Sequence, residues 1–460
     1  MSTPAASRPR PGTDLELTVD SLAYGGKGVA RLEGYVVFVA GALPGDRVLA
    51  RVEKSKRAYA EARAIEIMEP SPDRIEPVAD HAGAPWQVLP YERQLTEKVR
   101  MVEEALTRIG RLEGYELEPI VPALEQWRYR NKVEFSFGTG PDGELTCGFH
   151  APGRFDVIEP MTDCKLISVR ANAARDQVLE VVRAANLPAW DRRSHKGVLR
   201  NLVVREGRRT GQLQVRLVTS PATLPVPELR EAVDCEGLWW TQTEGLGEST
   251  QGGKSQLLDG APQLEEQIGD LRFLISPEAF FQTNTEMSEL LYGLVVDYAD
   301  LRGSESVFDL FCGIGTIALT LAPRARKVFG LELIEPAVQD AAENATVNEV
   351  GNATFYAGDV RTSLRDLVEQ AGKPDVVVVD PPRAGLSQKV VRRIVEAAPK
   401  RIVYVSCNPT TLAPNAAQLV EAGYVFKRIR PVDMFPQTPH IECVALLEAG
   451  PDGVRNPERE

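Results

Sequence analysis

The sequence predicts an α/β protein: a doubly wound, mainly parallel sheet near the C-terminus, preceded by a small β-barrel and a central α+β unit. Three observations carry that expectation. Beyond residue 274, five short β-rich runs (residues 304–310, 327–331, 353–356, 376–379 and 401–405) alternate with helical segments, the pattern of a parallel sheet with crossover helices. Residues 424–428 and 441–447 would add late strands on one edge. Residues 14–68 instead hold four or five short strands between glycine turns, and so few residues can hide their edges by closing into a barrel.

Taken in order, residues 1–12 are rich in Pro, Ser and Arg, lack an apolar stretch, and read as a disordered tail, not a signal peptide. The barrel spans 13–70. Its strands are Leu15-Glu-Leu-Thr-Val19, Tyr35-Val-Val-Phe-Val39, Arg47-Val-Leu-Ala-Arg-Val52 and Ala60-Glu-Ala-Arg-Ala-Ile-Glu-Ile67. Gly25-Gly-Lys-Gly28, Glu33-Gly34 and Pro44-Gly45 turn the chain between them. Pro70, Pro72 and Pro77 mark a linker, and residues 71–90 hold that linker and the start of the central unit. Leu95, Val99, Val102, Leu106 and Ile109 recur at helical spacing and place a helix in 91–112. Residues 113–270 form the α+β unit, with strands such as Val133-Glu-Phe-Ser-Phe137 and Leu199-Arg-Asn-Leu-Val-Val204 and one helix over 171–185. The doubly wound domain takes 271–449, and 450–460 is a tail.

Composition narrows the class. At 460 residues, with 43% hydrophobic and 26% charged positions, the chain is an ordinary globular one with room for several cores. No run approaches a membrane span of about 20 apolar residues. Six scattered cysteines (147, 164, 235, 312, 407, 443) argue against a disulfide framework and for a reducing, cytoplasmic setting. The net charge of −12 counts against a nucleic-acid partner, which needs Lys and Arg for its phosphates. Screening over roughly 10 Å makes local clusters matter more. Arg51, Lys54, Lys56, Arg57 and Arg63 form one basic segment; Arg192, Arg193, His195, Lys196 and Arg200 form another. Each is either a solvated face or an RNA contact. Tyr24, Lys27, Lys54, Lys56 and Tyr59 favour RNA for the barrel.

Ligands of doubly wound sheets sit outside the carboxyl ends of the strands. There the sequence places Gly313-Ile-Gly-Thr316 after the first strand, Glu332 after the second, Asp359 after the third and Asp380 after the fourth. A short Gly-x-Gly also suits NAD. Acids after successive strands favour an adenosyl ligand with a cationic sulfonium over a pyrophosphate. Cys407 follows the fifth strand and is free to act as a nucleophile, although a free cysteine is more often inert core. Glu442 stands in an apolar run, where burial would raise its pKa and suit it to general-base work. Four histidines without spacing make a zinc site improbable.

These residues carry a resemblance. Asp309-Leu-Phe-Cys-Gly-Ile-Gly-Thr316, Asp380-Pro-Pro-Arg-Ala-Gly385, Val403-Tyr-Val-Ser-Cys-Asn-Pro-Thr-Thr-Leu412, Asp433-Met-Phe-Pro-Gln-Thr-Pro-His-Ile-Glu442 and Ser276-Pro-Glu-Ala-Phe-Phe-Gln-Thr-Asn284 closely resemble the RNA uracil-5-methyltransferases. Gly25-Gly-Lys-Gly-Val-Ala-Arg31 and Pro44-Gly-Asp46 resemble the RNA-binding TRAM module. The resemblance implies a Rossmann-like class I methyltransferase domain using S-adenosylmethionine, with an OB-like TRAM barrel. It implies Cys407 as nucleophile and Glu442 as proton acceptor, with cofactor contacts at Gln282, Phe311, Thr316, Glu332, Asp359 and Asp380. Many relatives hold a four-cysteine iron–sulfur cluster. Here the corresponding run reads His81-Ala-Gly-Ala84, only Cys164 survives, and one thiolate cannot hold a cluster, so none is expected.

The leading expectation is a monomeric cytoplasmic enzyme that methylates uridine C5 in structured RNA, tRNA or 23S rRNA, through a covalent cysteine adduct at C6. One rival is a class I methyltransferase acting on another atom, with Cys407 structural. The other is an RNA-binding or RNA-folding protein that has lost catalysis.

Overall fold

The computed structural model describes residues 8–140 and 142–454. Five strands, β1 (Asp14–Leu22), β2 (Gly28–Leu32), β3 (Tyr35–Ala40), β4 (Arg47–Ser55) and β5 (Tyr59–Glu69), close into a barrel in the order β1-β2-β3-β5-β4. Alternation drives this: Val37, Val39, Val48, Ala50, Val52, Ala60 and Ala62 all turn inward, while the residues between them face out. The tail expected over 1–12 is only partly testable, because residues 1–7 lie outside the described residues. Residues 8–12 run along β4, with Arg8 Nε donating to Ser55 Oγ at 2.8 Å and the Gly12 amide to Val52 O at 2.8 Å.

The stretch expected as a linker is packed. Buried Asp46 accepts from the amides of Leu43 and Ser71 and from Arg74 at 2.6 Å, pinning the chain after Pro70 back onto the barrel. Trp86 and Leu89 are buried beyond it. His81 Nε2 lies 3.3 Å from Cys164 Sγ, so the His81-Ala-Gly-Ala84 run packs directly on that buried thiol. Helix α1 (Tyr91–Glu104) follows, and its last turn opens to a π-helical one over Ala105–Ile109.

Strand β6 (Glu116–Leu117) pairs with the far edge of the C-terminal sheet, not with the central sheet. The central sheet holds β7 (Lys132–Thr139), β8 (Leu145–His150), β9 (Ile158–Pro160), β10 (Leu199–Glu206), β11 (Leu213–Thr219), β12 (Gly237–Gln242) and β13 (Lys254–Gly260) in the order β13-β12-β11-β10-β7-β8-β9. Helices α2 (Val169–Ala184) and α3 (Val226–Ala232) cover one face, around Phe135, Phe137, Val178, Val204 and Leu217. A hairpin of β14 (Leu264–Ile268) and β15 (Leu271–Ile275) then joins the core under the next helix.

From α4 (Thr285–Ala299) the chain alternates: β16 (Ser306–Leu310), α5 (Thr316–Leu321), β17 (Lys327–Glu332), α6 (Glu335–Val347), β18 (Ala353–Ala357), α7 (Val360–Ala371), β19 (Val376–Val379), α8 (Gln388–Ala397), β20 (Arg401–Ser406), α9 (Pro409–Glu421), β21 (Tyr424–Val432) and β22 (Glu442–Ala449). The sheet order is β18-β17-β16-β19-β20-β22-β21-β6. Pairs from β18 to β20 are parallel, and β22 runs antiparallel between β20 and β21. Strands such as Val376–Val379, buried throughout, separate two apolar cores on the two faces of the sheet. The order reverses between β16 and β19, and ligands of such sheets bind at that switch point.

Candidate active site

A cavity of about 730 Å³ opens at the carboxyl ends of β16, β17, β19 and β20. Chain geometry shapes its floor. Phe311, directly after β16, is held at φ 69°, a strained conformation for a bulky side chain. Gly315 then starts α5 at φ 85°. A Cβ there would stand 3.0 Å from the Phe355 ring and 3.2 Å from the Ala341 Cβ, so only glycine lets the turn close. Thr316 opens α5 and lines the cavity together with the buried Tyr292 of α4. Glu332, at the end of β17, accepts from the Gly313 amide at 3.1 Å and the Ile334 amide at 2.9 Å. Asp359 caps α7 through the Arg361 amide at 2.8 Å and is ion-paired to Arg361, which holds its carboxyl below the usual range.

Asp380 follows β19. Burial pushes its carboxyl up to about 6, against a hydrogen bond from Gln282. Gln282 comes from the segment joining the central unit to α4, and its backbone carbonyl accepts from Asn131 Nδ2 at 2.8 Å. The central sheet thereby fixes one wall of the cavity.

The reacting pair follows from strand register. Ser406 at the end of β20 stands opposite Cys443 in β22, so Cys407 and Glu442 are the next residues outward on adjacent strands. Asn408 caps α9, accepting from the Thr410 amide at 3.0 Å, and so fixes the turn that carries Cys407. Burial pushes the Cys407 thiol up to about 12, with Glu442 and Asp380 adding to the rise and Arg383 opposing it. Glu442 is 3% exposed, and its Oε2 has no hydrogen-bond partner among the described residues. Burial holds its carboxyl well above the usual range, and Asp380 adds to that. All eight residues singled out in the sequence (Gln282, Phe311, Thr316, Glu332, Asp359, Asp380, Cys407 and Glu442) line this one cavity.

Sequence reasoning missed five others. Arg383 and His440 lie inside the quoted motifs and also line the cavity; adjacency to Asp380 and Glu442 was a usable signal. Burial, and then Arg383, lower the His440 imidazole to about 4, so it is neutral near pH 7. Asp309 is fully buried in β16, and burial, then Asp380, push its carboxyl up to about 8 against a weak contact from the Ala318 amide. Tyr292 and Tyr24 gave no sequence signal for the cavity. Tyr24 was read only as a barrel aromatic, yet its hydroxyl donates to the Cys407 carbonyl at 3.0 Å. Among the described residues no three His, Cys, Asp or Glu are grouped to hold a metal ion, and no helix is long and apolar enough to cross a membrane.

A doubly wound sheet with an acid-lined cavity at its switch point and a thiol and carboxyl on neighbouring strand ends defines a nucleotide-type transferase site. Comparison with known proteins agrees. Residues 263–450 match the tRNA (Uracil-5-)-methyltransferase family model, and residues 9–65 match the TRAM domain. An RNA methyltransferase of uncharacterised specificity from Halalkalibacterium halodurans is 37% identical over 444 residues, covering 94% of this chain and 96% of the relative. Another from Enterococcus faecalis is 38% identical over 449 residues, covering 95% and 98%. The crystal structure of Pyrococcus abyssi tRNA (uracil-54, C5)-methyltransferase, in complex with S-adenosyl-L-homocysteine, superposes with a TM-score of 0.78 at 29% identity, covering 94% of this chain and 99% of that one. The chain belongs to the RNA uracil-5-methyltransferase family, and it is an RNA methyltransferase with an N-terminal TRAM domain.

Proposed function

We propose that this enzyme transfers a methyl group from S-adenosylmethionine to C5 of a uridine in structured RNA, with Cys407 as nucleophile and Glu442 as general base. The observation that carries the reading is the register of β20 against β22, which sets Cys407 and Glu442 side by side in the cavity.

The cavity suits the methyl donor. Its volume falls within the roughly 300–1,000 Å³ of small-molecule sites. With Asp359 paired to Arg361, Glu332 and Asp380 face Arg383 along its wall, so the cavity keeps carboxylates that can meet a cation. Gln282, Phe311, Thr316, Glu332, Asp359 and Asp380 are the residues that would hold the donor. When bound, it supplies an electrophilic methyl group on a sulfonium.

Uracil C5 is a weak nucleophile, and the chain's part is to activate it. Cys407, a thiol at rest, loses its proton to solvent and its sulfur adds to C6. The electron pair of the C5–C6 bond moves toward C5, which takes the methyl as the methyl–sulfonium bond breaks and leaves a neutral thioether. Glu442 then removes the C5 proton, the C5–C6 double bond re-forms, and the thiolate leaves. Splitting the reaction in this way replaces one difficult step with easier ones. A general base must ionise to act, and Glu442, lifted by burial, would be a strong one once deprotonated.

The test is to identify the methylated nucleoside by mass spectrometry after reaction with RNA, and to map it in total RNA after deletion of the gene. 5-Methyluridine is expected. Methylation at any other atom would overturn the C5 assignment.

A further inference from the structure

The turn between β1 and β2 carries the barrel into the reacting centre. Tyr24, in that turn, donates its hydroxyl to the Cys407 backbone carbonyl at 3.0 Å, a contact across 383 positions of sequence. Two residues on, Gly26 has φ +84°, and a Cβ there would stand 2.9 Å from both Pro439 Cβ and Trp86 Nε1. Pro439 lies three residues before Glu442. One turn of the barrel therefore touches both the residue that bears the thiol and the segment that bears the carboxylate.

The turn is itself well held. The Ala23 amide donates to Lys27 O at 2.8 Å and the Gly26 amide to Ala23 O at 2.9 Å. Arg100 of α1 donates to Leu22 O at 2.6 Å, and Leu22 packs with Leu43, Trp86, Leu89 and Met101 in a small apolar cluster beneath it. That cluster is separate from the barrel's own core, so closing the barrel does not require the turn to seat here.

We infer that Tyr24 is a positioning residue for methyl transfer: by fixing the Cys407 carbonyl it aims the thiol, and the N-terminal barrel thereby completes the active site. The inference rests on the reading of Cys407 as the nucleophile. Burial, with Cys407 nearby, pushes the phenol up to about 12, so it stays protonated and remains a donor at working pH. A part-buried carbonyl that loses its donor is left unpaired and is free to turn. Displacing a reacting group by about 1 Å can cost on the order of 100-fold in rate.

Tyr24→Phe keeps the ring and removes only the donor. With RNA and S-adenosylmethionine, kcat is expected to fall by about 10- to 100-fold while KM for RNA changes by less than about threefold. Without RNA, iodoacetamide should alkylate Cys407 several-fold faster in the variant, as the turn loosens, with half-buried Cys235 as the internal reference by peptide mass spectrometry. Gly26→Ala is the second variant: it keeps the phenol but forces the turn away from Pro439, and it should lower kcat in the same way. Unchanged kcat and unchanged Cys407 alkylation in both variants would overturn the inference, as would a rise in KM alone. Failure of the unmutated enzyme to form 5-methyluridine would instead overturn the functional reading, and the alkylation arm judges the Tyr24 contact independently of it.

Discussion

Lys98 and Asp433 form an ion pair with no solvent exposure on either side chain, Nζ standing 2.6 Å from Oδ1. Lys98 also donates to Phe435 O at 3.0 Å, and the Asp433 carboxylate accepts from Tyr91 at 2.9 Å and from the Phe435 amide at 3.2 Å. Burial pulls the Lys98 ammonium below its usual range, and Asp433 opposes that pull. The pair ties α1 to the segment that leads from β21 to Glu442. Gln94, one turn earlier in α1, adds to the tie: it accepts from the Gln437 amide at 2.9 Å and donates to the Gln437 side chain at 2.8 Å.

Breaking that pair from one side leaves an uncompensated buried charge. Lys98→Met should therefore destabilise the protein by about 3–5 kcal/mol, read as a shift of the urea midpoint without a large change in slope. The double variant Lys98→Met/Asp433→Leu should recover part of the loss, because replacing a buried pair by apolar groups is often close to neutral. Recovery stays partial because the Phe435 carbonyl and Tyr91 lose partners. A Lys98→Met protein as stable as the parent would show that the pair contributes nothing.

Cys407→Ala removes the only group in the proposed reaction able to add to C6. Methyl transfer should fall by on the order of 10⁴-fold or more, while the affinity for S-adenosylmethionine by calorimetry should change little. The thiol is half-buried and not a core group, so stability should move by less than about 1 kcal/mol. Retained transfer would assign Cys407 to structure and favour a methyltransferase acting on another atom.

Glu442→Gln should separate the two halves of the reaction. Addition of Cys407 and methylation need no base at residue 442, but removal of the C5 proton does. A covalent protein–RNA species should therefore accumulate and run as a shifted band on a denaturing gel, absent from Cys407→Ala/Glu442→Gln. If no such band forms while Cys407→Ala is inactive, another group removes the proton.

The parts of the fold set by local rules were legible in the sequence. Val376–Val379 is a short all-valine run buried on both faces, as an interior parallel strand must be, and Gly313 and Gly315 announced the turn after β16. Cys407 and Glu442 could be chosen because each sits at a strand end in an apolar run, and a strand end facing a crevice is where chemistry collects. Glu116–Leu117 could not be placed: two residues carry no period, and their partner in β21 lies some 310 positions away. Tyr24 was illegible for the same reason, since the contact depends on how a barrel turn docks, which no local pattern encodes. The packed stretch beyond Pro70 misled because prolines mark a break in regular structure, not an absence of contacts; Asp46 and Trp86 supply those contacts from outside the local pattern.

Asp309 supplies a test by pH. Its carboxyl is fully buried and pushed from the ordinary 3.8 up to about 8 by burial first and then by Asp380. Between those values the unfolded chain has lost the proton while the folded chain keeps it, so the folded state binds more protons and stability falls as pH rises. The stability this group contributes is complete below about pH 4 and lost by about pH 8, a change on the order of 5 kcal/mol at about 1.4 kcal/mol for each pH step. Carboxyls held low, such as Asp359, act in the opposite sense and only below about pH 4, so they do not mask the trend. Asp309→Asn cannot ionise and removes this group's share of the slope, leaving the shares of Asp380 and Glu442, which are raised as well. The difference in unfolding free energy between this variant and the parent should therefore grow in favour of the variant from pH 5 to pH 8, by several kcal/mol. A difference that stays flat over that range would mean that Asp309 is ionised in the folded protein and holds a partner there.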